Sequence, residues 1–179
     1  MNRFSLYWQI LCNRLRLAIL KLINPNAQIS IGGSTLISND ADIEVGKNSY
    51  LQIGRGLRVR KNAILAVREN AKLLIGRNIF INRNTIIMAR KSIIIEEGVT
   101  IGPNVCIYDH DHDLQNWGGY SYKNILIKKN VWIGSNVTIL KGVSIGEDSV
   151  IASGCIVTKD VPAHTILIQK RNSIYKVVK

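Results

Sequence analysis

The chain has 179 residues, enough for one domain with a sizeable core and too few for a two-domain enzyme. A composition of 46% hydrophobic and 20% charged residues excludes a disordered chain. The three cysteines, Cys12, Cys106 and Cys155, are far apart with no CxxC pair, which excludes a disulfide framework and a structural zinc site and points to a reducing, cytoplasmic setting. Lys and Arg outnumber Asp and Glu by 24 to 12, a surplus that attracts polyanions, yet no basic run is interleaved with aromatics and no recognition module is present, which argues against nucleic acid as the partner.

Residues 1–24 form the first segment. Phe4, Tyr7, Trp8, Leu11, Leu15, Ala18 and Leu22 fall on one stripe at helical spacing, Pro25 ends the pattern, and Arg3, Arg14 and Lys21 lie beside the stripe. Charges interrupt the apolar residues too often for a bilayer span, and no small-residue cleavage site follows. An amphipathic basic helix is expected, packed on its own domain or a neighbouring subunit, or lying as a peripheral contact on the inner face of a membrane.

From residue 31 to 162 the chain repeats. Ile127, Ile133, Ile139, Ile145, Ile151 and Val157 recur every six residues, each followed by polar turn residues, as in Ile133-Gly134-Ser135-Asn136 and Ile145-Gly146-Glu147-Asp148. Earlier members come in threes: Ile31, Ile37 and Ile43; Ile53, Val59 and Leu65; Ile75, Ile81 and Ile87; Ile95, Ile101 and Ile107. Three short strands per turn make an all-β solenoid of about six triangular coils, on the order of 29 Å tall at about 4.8 Å per coil. The residues beyond the hexads all fall after the third strand of a group, so one corner of the prism is expected to absorb them. Cys106 and Cys155 sit at hexad positions and read as core. The longest excursion, residues 113–126, follows Asp109-His110-Asp111-His112 and is the expected active-site loop. A basic tail, residues 163–179, completes the chain.

With the hexads, residues 102–108 (GPNVCIY) leading to a histidine, residues 131–135 (VWIGS) and residues 157–162 (VTKDVP), the sequence resembles the left-handed β-helix, or hexapeptide-repeat, acyltransferases. Within them it is similar to sugar and galactoside O-acetyltransferases and to acetyltransferases of capsule and O-antigen synthesis. The resemblance covers about residues 31–165. It implies a left-handed parallel β-helix, acetyl-CoA as cosubstrate with no metal, a sugar or polysaccharide acceptor, and a homotrimer with sites between subunits.

The GPN-to-histidine spacing of the family falls on His112 as catalytic base, and the family's active-site asparagine on Asn82. Trp132 and Ser135 match residues along the acetyl-CoA arm and near the thioester, and Thr158 and Lys159 match residues near its nucleotide end. The sequence departs from the family in a shorter loop and in a tail, residues 168–174 (IQKRNSI), that lacks the Gly-x-Pro-Ala motif; Arg171, with Lys170 and Lys176, is the candidate for the coenzyme's far phosphates. Asp109, Asp111, Trp117 and Tyr120 are candidates for the acceptor side. An imidazole is the natural base for removing a hydroxyl proton near neutral pH, with neighbouring carboxylates to orient it. N-acetylation of a nucleotide-linked amino sugar, or a non-catalytic β-helix scaffold, are the alternatives to sugar O-acetylation.

Overall fold

In a computed structural model, residues 3–114 and 118–170 are described, except for the side chains of 3–6 and 9. A helix, α1 (Arg3–Ile23), precedes a parallel β-solenoid. Its first face stacks Gln28–Ile31, Tyr50–Ile53, Lys72–Ile75, Ser92–Ile95, Ile125–Ile127 and Ser144–Ile145. The second stacks Leu36–Ile37, Arg58–Val59, Phe80–Ile81, Thr100–Ile101, Trp132–Ile133, Val150–Ile151 and Ile166–Leu167. The third stacks Asp42–Val45, Ile64–Val67, Ile86–Ala89, Cys106–Tyr108, Thr138–Ile139 and Ile156–Val157. Six full coils result, with a seventh begun on the first face at Val161, bridged to Ile145, and continued on the second, in the architecture of a left-handed β-helix.

The hexad residues form the core in the register that the sequence predicts. Ile53 pairs with Ile75, Ile75 with Ile95, and Ile95 with Ile127; Ile81, Ile101 and Ile133 form the matching column on the second face, and Ile87, Ile107 and Ile139 on the third. From Ile53 onward the six-residue positions are buried, and the residue two before each, such as Leu73, Val99 or Val131, is buried as well. Each buried aliphatic contributes about 1.5 to 3 kcal/mol relative to exposure.

Corners must turn the chain sharply within about four residues, and the left-handed backbone that this requires is taken mostly by asparagine, which tolerates it better than other side-chain-bearing residues. Asn62, Asn84, Asn104 and Asn136 occupy such positions at φ of 57, 56, 56 and 57°. They stack on successive coils at the corner between the second and third faces, each side-chain amide donating to the next carbonyl oxygen at 3.3, 3.1 and 3.1 Å.

Two expectations are corrected. The residues beyond the hexads do not swell a corner: in the first two coils they lengthen the third- and first-face strands to four residues each, around an unchanged turn, because a parallel ladder stays paired only if neighbouring rungs lengthen together. Cys155 is core, but Cys106 is half-buried, on the outward row that contains Ile86 and Thr138.

Each end of the ladder is capped in part. At the start, α1 packs on the first coil through Leu17 and Leu20, and the Arg16 guanidinium donates to the carbonyls of Ser38 (3.2 Å) and Ala41. At the far end the Gln169 side chain takes the place of a missing strand, accepting from Ile156 N at 2.8 Å and donating to Ile156 O at 2.7 Å.

Candidate functional site

The long excursion leaves the prism at the corner between the third and first faces. It begins earlier than the expected 113–126: His110–His112 pairs antiparallel with Tyr120–Tyr122, making a hairpin arm whose base is closed by Lys123 N donating to Asp109 O at 2.9 Å.

Asp109 anchors this arm. Its side chain has no exposed surface, and it accepts from the backbone N–H groups of Arg90 (2.8 Å), Lys91 (2.7 Å) and Ser92 (2.7 Å) in the preceding coil. That coil has a corner of two residues, and the carboxylate fills the space the missing residues leave, satisfying three amides that would otherwise be buried unpaired. Asp109 therefore faces the coil and not an acceptor, contrary to its assignment from sequence.

The two histidines of the arm differ. His110 is sheltered, with 10% of its side chain exposed, its Nδ1 lies 3.1 Å from Asp109 Oδ1, and its ring meets Tyr108 and Tyr120 edge-on at 5.8 and 5.6 Å. His112 is exposed and lies against the Tyr120 ring at 4.7 Å. Tyr120 in turn carries the Arg90 guanidinium over its face at 3.8 Å and stacks with Tyr122 at 6.2 Å. Asp111 is exposed and paired with Lys141 of the next coil at 2.8 Å, and the same ammonium reaches Ser121 Oγ at 2.5 Å. Burial, with the Cys106 thiol beside it, pushes the Tyr108 phenol up to about 12, so it stays neutral beneath the arm.

Thr158 and Lys159 are exposed at the same prism corner as the arm, two coils on, about 10 Å along the edge. The other candidates are elsewhere. Asn82 and Ser135 occupy the corner between the second and third faces, where Asn82 Oδ1 accepts from Arg83 N at 2.9 Å and Ser135 is bonded to Ser153 Oγ at 3.2 Å. Trp132, 58% exposed, stands on the second face in an outward row with Val150 and Ile166, an apolar strip beside Ser135. The chain thus distributes the candidates over two edges of the prism, on opposite sides of the third face. His164 belongs to neither group and sits beside Asp148 at 3.7 Å. Trp117 and Arg171 lie outside the described residues.

Arg90 and Lys141 were missed from sequence. The signal for Arg90 was its position in the shortened corner directly before the arm's own coil; Lys141 had none beyond its charge.

Residues 124–159 match the family model described as bacterial transferase hexapeptide (six repeats). A galactoside O-acetyltransferase of Lactococcus lactis is 41% identical over 78 residues, 41% of this chain and 38% of that protein. The chain spans about two fifths of the length of the curated relatives it matches. Among solved structures, a hexapeptide-repeat acetyltransferase of Vibrio cholerae complexed with acetyl coenzyme A is similar at 26% identity and a TM-score of 0.58, over 86% of this chain and 71% of that one. A mutant of AntD, an N-acyltransferase from Bacillus cereus, in complex with dTDP-4-amino-4,6-dideoxyglucose and coenzyme A, shares the fold at 20% identity and a TM-score of 0.65, over 83% of this chain and 82% of that one.

Proposed function

We propose that this chain, whose residues 124–159 match the hexapeptide transferase model and whose fold is shared with acyltransferases, transfers an acetyl group from acetyl-CoA to a sugar hydroxyl of a surface polysaccharide or its precursor. The observation that carries this reading is the partition of the candidates between two edges of the prism. A homotrimer with parallel prisms would set the His112 edge of one copy against the Asn82, Trp132 and Ser135 edge of the next and assemble a site from both.

The chemistry follows from the residues. His112 removes the proton from the acceptor hydroxyl as its oxygen attacks the thioester carbonyl; the tetrahedral oxyanion is held by the Asn82 amide or a backbone N–H beside Ser135; collapse expels the coenzyme A thiolate, which takes the proton back from the imidazolium. The Tyr120 and Tyr122 rings supply a flat surface of the kind a sugar ring packs against. Trp132 and its apolar row support the extended coenzyme arm, with Thr158, Lys159 and Arg171 toward its phosphates. His112 is favoured over His110 by exposure and by the spacing from Asn104. The contact between His110 Nδ1 and Asp109 is the one feature in favour of His110, since a carboxylate there would leave Nε2 free to accept a proton.

Release of free thiol from acetyl-CoA, measured with a panel of sugars, nucleotide sugars and polysaccharide fragments, tests the activity. Mixing inactive His112→Ala and Asn82→Ala subunits, unfolded and refolded together, tests the split site. Mixed assemblies that recover activity are the expected result. Failure to recover any would place the site within one chain, and thiol release with amines but no hydroxyl acceptor would make the protein an N-acetyltransferase.

A further inference from the structure

The helix α1 has two apolar faces, and the coils use only one. Leu17 and Leu20 pack on the first coil with Ile10 beside them, whereas Tyr7, Trp8, Leu11, Leu15, Ile19 and Leu22 remain 48% to 80% exposed. Of the stripe read from the sequence, Tyr7, Trp8, Leu11, Leu15 and Leu22 therefore face outward. This face is also a fixed surface, because Leu17 and the Arg16 hydrogen bonds hold the helix to the prism. Contiguous apolar patches of this kind are rarely left in water.

The charge distribution says what would cover it. Residues 1–91, which comprise the helix and the first three coils, hold fifteen of the 24 Lys and Arg but four of the 12 Asp and Glu; the rest of the chain is nearly balanced, at nine to eight. The surplus of +12 thus resides almost wholly in the half of the protein that carries the helix. No acidic residue occurs before Asp40, and the exposed Arg14 and Lys21 line a crevice of about 320 Å³ between α1 and the first coil, beside the stripe. No described helix is long and apolar enough to cross a membrane. A rigid apolar stripe, flanked by cations on a helix too charged to span, matches the chemistry of an interfacial helix.

The structure assigns the outward face of α1 to the surface of a bilayer containing anionic lipid, with the aromatic and aliphatic stripe at headgroup level and the basic half of the prism turned toward it. This rests on the helix and the charge distribution, not on the acyl-transfer reading.

The test is flotation of the full-length protein with phosphatidylcholine vesicles, with and without phosphatidylglycerol, at low and physiological salt, alongside sedimentation to follow oligomeric state. Binding to the anionic vesicles, weakened by salt, is expected. Combined Leu11→Asp and Leu15→Asp should lower it about tenfold or more while leaving the melting temperature and oligomeric state unchanged, since both side chains are outside the core. Arg14→Gln and Lys21→Gln should each lower it about fivefold. Full-length protein that stays in the soluble fraction at low salt, or floats equally well with neutral vesicles, would overturn the assignment. So would Asp variants that change the oligomeric state, because a second copy would then be what covers the stripe.

Discussion

The carboxylate of Asp109 accepts the backbone N–H of Lys91 at 2.7 Å, so the arm that leaves one coil is fastened to the shortened corner of the coil before it. Asp109→Ala would leave three amides buried without partners, and we expect it to cost about 2 to 5 kcal/mol, read as a lower urea midpoint. Asp109→Asn should fall between it and the natural protein, because one end of the amide must confront an N–H. An unchanged midpoint in the Ala variant would mean that water reaches the corner.

The two histidines should separate in activity. His112→Ala is expected to reduce turnover by about 10² to 10⁴-fold without loss of stability, as for a missing general base. His110→Ala should lower the melting temperature, since its ring is packed among Tyr108 and Tyr120, and affect turnover less. Reversed effects on turnover would move the base to His110.

Tyr108 supplies a prediction for alkaline solution. Its phenol is raised from 10.0 to about 12 in the folded protein, by burial first and then by Cys106. The unfolded chain therefore loses this proton at lower pH than the folded one. The stabilisation linked to Tyr108 is fully present below about pH 10 and is lost as pH rises toward 12. Ultraviolet titration should show one tyrosine ionising after the others, and Tyr108→Phe should remove that late step and flatten the fall of stability in the same window.

Asn104 separates strain from bonding at the asparagine ladder. It holds φ of 56°, receives from Asn84 and donates to Asn136. Asn104→Gly relieves the conformational demand and loses only the ladder bonds, so a cost of about 1 kcal/mol is expected. Asn104→Ala loses the bonds and adds about 1 to 2 kcal/mol of left-handed strain. Equal destabilisation by the two would show that conformation is not what asparagine provides there.

The fold was legible because the hexad is one physical unit: an inward aliphatic, a turn with one left-handed residue, and a second inward residue. Ile101 and Ile133 fall in register simply because each coil repeats that unit. The arm was harder. Its alternation of Asp and His has the period of a strand, yet only the pairing of His110 with Tyr122 and His112 with Tyr120 makes it one, and those partners lie twelve and eight residues on, in a segment without the hexad pattern. The role of Asp109 depended on the length of a corner nineteen residues earlier, a coupling that no local pattern carries. For α1, periodicity located the apolar stripe correctly but could not say which way it faced, because Ile10, Leu17 and Leu20 make a second stripe almost as apolar.

A parallel solenoid has no inherent length: each rung is a template for another, and a bare final rung would accept the first rung of a second molecule as readily as one of its own. The Gln169 amide occupies both ladder groups of Ile156 with a donor and an acceptor carried on a side chain, so no backbone rung follows at that point of the third face. With α1 packed on the first coil, rungs at each end are partly withdrawn from pairing with another molecule, and on the third face a side chain does this in place of a strand, which works against the stack seeding a fibre.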